Sequence, residues 1–311
     1  MAKNIVFFTD SQADNRILPF RKDDFGETIL RKLQEVLEFA NKYNALLICG
    51  GDFVDRPYIT YEFLIQIIQL FKKFRPDDPM LLVLGNHDLI GRNLLSYNRS
   101  ALGILSEAGV IDIWTDPRYL EGFRLIPIPY TESHTPDLYK VNEPSIIVSH
   151  NMLIPFSAPY ESIFLKDVVP MIKAKGNLIL LGHYHSPFDI PIGGLRFINP
   201  GSLARVSRNP NEAKRIPQIL LIRVQNGLYE VEYHKISCAD SWEQIFEPQE
   251  ISEKSEISMN LLDLKDFVYN SKVQSFNISE FIKSVAKENK ISELILSEAL
   301  KRVSDAELVF K

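Results

Sequence analysis

Five short apolar runs in this chain each end, on the carboxyl side, in residues able to ligate a metal. They are Ile5-Val-Phe-Phe-Thr-Asp10, Leu46-Leu-Ile-Cys-Gly-Gly-Asp52, Leu81-Leu-Val-Leu-Gly-Asn-His-Asp88, Ile146-Ile-Val-Ser-His150 and Leu178-Ile-Leu-Leu-Gly-His-Tyr-His185. Runs of this length, rich in β-branched residues, read as buried strands. Between the first two, Leu30, Leu33, Leu37 and Ala40 keep helical spacing; between the next two, Leu64, Ile67, Ile68 and Phe71 do the same. Strands alternating with helices predict an α/β fold, and in open α/β sheets the loops at the carboxyl ends of the strands converge on one crevice. Five segments distant in sequence are thereby expected to meet.

After Leu195 the pattern changes to strands without helices between them: Leu195–Ile198, Gln218–Val224 and Tyr229–His234, the last two separated by the turn signal Gln225-Asn226-Gly227. A mixed or antiparallel sheet therefore closes this domain, assigned to residues 1–237. Residues 238–311 contain no glycine and no histidine, and show helical segments around 259–270, 277–289 and 292–304. They are expected to form a helical module that caps the domain or binds a partner. The acidity of the chain belongs to this tail: residues 236–311 carry 9 basic and 14 acidic side chains, whereas the rest carries 26 of each. A neutral main domain neither demands nor forbids a polyanionic substrate, since local patches steer such ligands.

With 45% of its residues hydrophobic and 24% charged, the chain reads as an ordinary globular protein. No stretch has the roughly 18 apolar residues of a membrane span and the first residues lack a secretory pattern, so a cytoplasmic location without membrane association is expected. Cys49 and Cys238 fit a reduced pair rather than a disulfide framework.

Four of the six histidines, His87, His150, His183 and His185, fall at the strand ends together with Asp10, Asp52, Asn86 and Asp88. Singly, each has a bland explanation as a turn or a core residue; jointly, they make a metal centre the economical reading. The order Asp10, Gly51-Asp52, Gly85-Asn86-His87-Asp88, His150, Gly182-His183-Tyr184-His185 resembles the calcineurin-like metallophosphoesterase superfamily over about residues 1–235. The resemblance implies a sandwich of two mixed β-sheets flanked by helices. It also implies two divalent ions, the first held by Asp10 and His185, the second by Asn86, His150 and His183, with Asp52 shared. Such ions can clamp a phosphate and activate water for in-line displacement. Manganese is the expected resident, with iron, zinc or magnesium as alternatives. His87 is expected beside the ions as the group that protonates the leaving alkoxide, with Asp88 orienting it. Where the superfamily has Asp-x-His, this chain reads Asp10-Ser11-Gln12. The amide of Gln12 thus stands as a weaker candidate ligand, consistent with a softened first site or with a degenerate scaffold member.

The superfamily includes phosphatases, phosphodiesterases and nucleases, so substrate must be read elsewhere. Asp52-Phe-Val-Asp55-Arg56 is reminiscent of phosphoprotein phosphatases and makes Arg56 a candidate substrate contact, although those carry Glu where this chain has Asp88. Asn199-Pro-Gly-Ser-Leu-Ala-Arg205 and the loop from Asp14-Asn-Arg to Phe25 resemble SbcD-type, phage-like DNA nuclease subunits. That likeness implies DNA as substrate, exonuclease or endonuclease action in repair or recombination, an SMC-like coiled-coil ATPase as partner, and a homodimer paired through Arg92–Ala108, where Leu94, Leu95, Ala101, Leu102 and Leu105 suit a helix with one apolar face. Arg205 and Arg208, in a basic stretch, are candidate contacts to DNA phosphates. A stand-alone phosphodiesterase or phosphatase acting on small phosphoesters is the alternative.

Overall fold

A computed structural model of the chain describes residues 3–18, 20–155, 162–174, 176–207 and 215–247, together with 296, 297 and 300. The chain divides into two compact units, Met1–Glu250 and Ile251–Lys311. The three helical segments expected in the tail lie outside the described residues, apart from Leu296, Ser297 and Leu300, which are helical.

The first unit holds two six-stranded sheets. In the first sheet, β1 (Lys3–Phe8), β2 (Leu46–Cys49), β3 (Met80–Leu82) and β4 (Ile111–Ile113) run parallel, and β13 (Gln218–Gln225) and β14 (Leu228–Lys235) add antiparallel strands beyond β1. In the second, β6 (Phe123–Ile128), β7 (Ser145–Ser149), β10 (Leu178–Leu181) and β12 (Leu195–Asn199) are parallel, with β5 (Arg118–Leu120) and β11 (Phe188–Ile192) antiparallel at the two edges, while β8 (Leu153–Ile154) and β9 (Ile163–Phe164) form a separate parallel pair. This is the expected α/β architecture of two mixed sheets flanked by helices.

Period-two alternation of side chains decides which face each strand residue serves. Ile5, Phe7, Ile48 and Leu81 from the first sheet meet Ile146, Val148, Leu178 and Leu180 from the second in the core between the sheets. Their neighbours Val6, Phe8, Leu47 and Cys49 face outward onto helices α1 (Phe25–Lys42) and α2 (Tyr61–Phe74). Helix α1 starts at Asp24, whose side chain accepts from the Glu27 amide, and α2 starts at Thr60, which accepts from Phe63. Every central strand is thus apolar on both faces, which is why the runs are continuous rather than alternating.

The hairpin joining β13 and β14 turns on Asn226 and Gly227, both at positive φ, 51° and 74°, as the Asn-Gly signal requires. The expected continuous helix near 92–108 is instead broken. Gly91 and Arg92 are both left-handed, the chain then runs through the 3₁₀ turn Leu94–Arg99, and Ser100 caps a separate helix α3 (Ala101–Glu107). Ala101, Leu102 and Leu105 face the core, whereas Leu94 and Leu95 are exposed.

Candidate metal centre

The loops after β1, β2, β3, β7 and β10 bring the sequence candidates to one end of the sandwich. Asp52 Oδ2 lies 3.1 Å from His150 Nε2, and Asp10 Oδ1 lies 3.9 Å from His150 Nε2 and 3.7 Å from His185 Nε2. Ligand atoms of Asp52, His150 and His183 all fall within 4.8 Å of one another. Gln12 reaches the same place, its amide nitrogen 3.2 Å from His185 Nε2. Asn86 enters through the Gly-Asn-His-Asp loop, where the His87 amide donates to Asp52 Oδ1 at 2.8 Å.

The backbone is bent to make this possible. Asp10, Gln12, Asp52 and His183 all adopt left-handed φ values of 52°, 43°, 48° and 70°. Each such residue costs on the order of 1–3 kcal/mol and persists only where its surroundings over-determine it. Here they do: the Asp10 amide donates to Gly51 O, Gln12 to Asp52 O, and His183 to Asp10 Oδ2. The loop after β12 seals the back, with Ser202 Oγ and the Ala204 amide both donating to the Asp10 carbonyl. The glycines of the motifs are there for close approach. A Cβ on Gly51 would collide with the His150 ring, and one on Gly85 with the Asp52 carboxylate.

Several polar atoms are buried at this point without a hydrogen-bond partner: Asp10 Oδ1, Gln12 Oε1, Asn86 Oδ1 and His150 Nε2. Buried polar groups are rarely left so, and four together suit a site that holds a cation. His150 makes the case most clearly. Its Nδ1–H donates to the Gly50 carbonyl at 2.7 Å, which leaves Nε2 as the free lone pair, yet Nε2 sits beside the Asp52 carboxylate. Two lone pairs that close require a positive charge between them, a proton or a metal. Burial works against protonating His150, but Asp52 and Asp10 outweigh it and lift its pKa to about 9 when only a proton is available. Burial likewise opposes ionisation of Asp52, and His150 and His87 overcome it, holding this carboxyl below the usual range. The Asp10 carboxyl is raised by burial, and the His183 imidazole is pushed down by desolvation and by His150. The donors present therefore fit divalent cations: Asp10, Gln12, Asp52 and His185 on one side, and Asp52, Asn86, His150 and His183 on the other.

His87 stands at this centre, but Asp88 does not orient it. Its Nδ1 faces the Asp55 carbonyl at 2.7 Å. Asp88 is wholly buried and accepts from the amides of Asp52, Val54 and Gly85 at 2.9–3.1 Å, so it ties two ligand loops together. Burial and the neighbouring Asp52 charge raise its pKa to about 7. Arg56 follows Asp55 on the loop after β2, half-exposed, with Nε 2.7 Å from the buried Asp14 carboxylate. Arg16, which the sequence reading passed over, is its counterpart, 2.7 Å from the buried Asp55 carboxylate. The signal for it was an acid and an arginine close together on each of two loops that carry ligands, Asp14 with Arg16 and Asp55 with Arg56. Arg205 differs from what its basic surroundings suggest. It is 2% exposed, its guanidinium donates to the Asp240 carbonyl, and its own carbonyl accepts from Arg21. Arg208 lies outside the described residues.

Residues 3–220 match the sequence model of the calcineurin-like phosphoesterases. The chain belongs to that family. It is accordingly a metal-dependent phosphoesterase, built on a fold that uses divalent ions. No curated protein matches the chain. Among solved structures, it is similar to an archaeal phosphodiesterase, at 14% identity and a TM-score of 0.40 over 74% of this chain and 99% of that one. It is also similar to a phosphoesterase from E. coli, at 15% identity and a TM-score of 0.37 over 75% of this chain and 100% of that one. Among the described residues no helix is long and apolar enough to cross a membrane.

Proposed function

We propose that this phosphoesterase is a DNA nuclease subunit that hydrolyses phosphodiester bonds with two divalent ions, manganese first among them. The observation that carries the reading is a pair of arginines, Arg16 and Arg56, held by Asp55 and Asp14 on the loops that carry Asp10 and Asp52. The Arg16 and Arg56 side chains are 39% and 49% exposed, while the carboxylates that hold them, Asp55 and Asp14, are 5% and 0% exposed. Each guanidinium is fixed at one edge and open to solvent at another, which suits it to grip phosphates flanking a scissile bond. A small phosphomonoester has no flanking phosphate to use them.

Asp10, Gln12 and His185 would hold one ion, Asn86, His150 and His183 the other, and Asp52 both. The ions, when bound, polarise the phosphoryl group and lower the pKa of water. The chain's own groups do the rest. Hydrogen bonds from the His150 Nδ1–H to Gly50 O and from the Asp52, Val54 and Gly85 amides to Asp88 fix the donors before substrate arrives. His87, its Nδ1–H committed to Asp55 O, offers Nε2–H to the leaving oxygen. In the metal-free protein burial opposes its protonation, but Asp52 and Asp55 raise its pKa above the ordinary histidine value.

Exposed Tyr58, Tyr61, Ile65, Leu94, Leu95 and Ile104 lie on α2, α3 and the segments before them, which the Ala101 amide joins by donating to Pro57 O. This supports a homodimer. Assembly with an SMC-like ATPase through the tail is proposed on the resemblance alone. The test is a manganese titration with labelled single- and double-stranded DNA beside a generic phosphodiester. Cleavage of DNA with a steep salt dependence that flattens when Arg16 and Arg56 are neutralised supports the reading. Hydrolysis of the generic diester with DNA left intact refutes it and favours a small-phosphoester enzyme acting alone.

A further inference from the structure

The two halves of the centre do not offer the same chemistry, and the difference comes from one residue. The half around Asn86 has two oxygens, from Asp52 and Asn86, and two imidazole nitrogens, from His150 and His183. A histidine at position 12 would give the other half the same set. Gln12 replaces it with an amide, so that half has three oxygens, from Asp10, Gln12 and Asp52, and one nitrogen, from His185.

Gln12 is built into the site rather than tolerated near it. It is 2% exposed and held in a left-handed conformation at φ 43°. Its amide donates to Asp52 O, so its backbone is tied to the shared carboxylate's own residue. Its Oε1 has no partner, and its Nε2 lies 3.2 Å from His185 Nε2. A half-turn of the amide, which exchanges its nitrogen and oxygen, presents the carbonyl oxygen to His185 Nε2, which lies 3.7 Å from Asp10 Oδ1. A glutamine chosen only for packing would not leave a buried carbonyl unpaired, since that omission costs about 1–3 kcal/mol.

Carboxylate and carbonyl oxygens suit manganese and magnesium, whereas imidazole nitrogens suit zinc and iron. We propose that the centre is a mixed one: the Asp10–Gln12–His185 half selects a hard ion such as manganese, and the Asn86–His150–His183 half selects a softer ion such as zinc. This rests on the two-ion reading given above and specifies which ion each half prefers. Gln12 is then the residue that sets the metal selectivity of this chain.

The test is composition, not turnover. Metal-free protein is equilibrated with equal manganese and zinc, freed of loose ions, and analysed by elemental mass spectrometry and by electron paramagnetic resonance. The wild type should retain about one equivalent of each, with the spectrum of an isolated manganese ion. Gln12→His should take zinc in both halves and lose the manganese signal, while Gln12→Glu, which keeps an oxygen donor, should retain it. Histidine is among the residues that best tolerate a left-handed backbone, and the glutamate variant supplies an independent reading if the histidine variant folds poorly. Two zinc ions in the wild type, or the same composition in all three proteins, overturns the proposal. Binding of fewer than two ions when either metal is offered alone defeats the two-ion reading itself, and the selectivity proposal with it.

Discussion

The two sheets contribute different donors to the centre. The first sheet, through the loops after β1, β2 and β3, delivers oxygen ligands: Asp10, Gln12, Asp52 and Asn86. The second, through the loops after β7 and β10, delivers every imidazole among the candidate ligands: His150, His183 and His185. Neither sheet alone can make a mixed oxygen and nitrogen site, so the centre depends on how the sheets are registered against each other. That register is set by the apolar layer between them, where Ile5, Phe7 and Ile48 meet Val148 and Leu180.

The largest expected effect is on the ligand that both ions would share. Asp52→Asn should abolish binding of both ions and cut turnover on the order of a thousandfold or more, measured by calorimetry and by diester hydrolysis. Next comes His87→Ala, which removes an imidazole bonded to the Asp55 carbonyl and keeps the backbone amide that donates to Asp52. Turnover should fall by about a hundredfold to ten-thousandfold with metal content unchanged, and the loss should shrink for substrates whose leaving group needs no proton. Loss of metal in that variant would place His87 among the ligands instead.

The contrast between sheets can be sharpened through packing. Ile48→Ala, between the sheets, and Leu33→Ala, between α1 and the first sheet, each empty a fully buried position and should each cost about 2–5 kcal/mol in chemical denaturation. Only the first should also weaken metal binding, because only it loosens the sheets against each other. Equal effects on metal affinity would mean that the register does not matter.

Proton linkage gives a further, graded test. With the metal removed, His150 has a pKa raised to about 9, so its ion pair with Asp52 contributes stability that is complete below the unfolded histidine value of 6.5 and is lost as pH rises through about 9. Thermal melts of metal-free protein should therefore fall over that window, while the loaded protein does not. Metal affinity should drop about tenfold for each unit of pH below 9, since binding must expel that proton. The smallest effect is far from the centre. Glu35 on α1 accepts from His234 and from Ser237 and Cys238 after β14, and although burial opposes its ionisation, the amides of Ser237 and Cys238 lower its pKa to about 2. Its stabilisation is present above pH 4.5 and lost as pH falls towards 2, and Glu35→Gln should cost less than about 1 kcal/mol at neutral pH, since the site is open to screening.

What was legible in the sequence follows from the same physics. Strands such as Ser145–Ser149 and Leu178–Leu181 are buried on both faces, so their runs stand out and their ends mark the site. Edge strands such as Arg118–Leu120 and Phe188–Ile192, half in solvent, carry no such run and were not foreseen. The helix expected over 92–108 failed at Gly91 and Arg92, where two left-handed residues turn the chain in a way that spacing cannot signal. Arg205 looked like a surface cation because its neighbours in sequence are basic. Its actual partners, Asp240 and Arg21, are distant in sequence, and contacts of that kind leave no local trace. For the same reason the orienting partner of His87 was missed: it is a backbone carbonyl, that of Asp55, which has no side-chain signature.

The most direct measurement is anomalous diffraction from crystals soaked in manganese. The account predicts two peaks per chain, both within bonding distance of the Asp52 carboxylate, one facing Asp10 and His185 and the other facing Asn86, His150 and His183. A single peak, or a pair in which Asp52 touches only one ion, would contradict it.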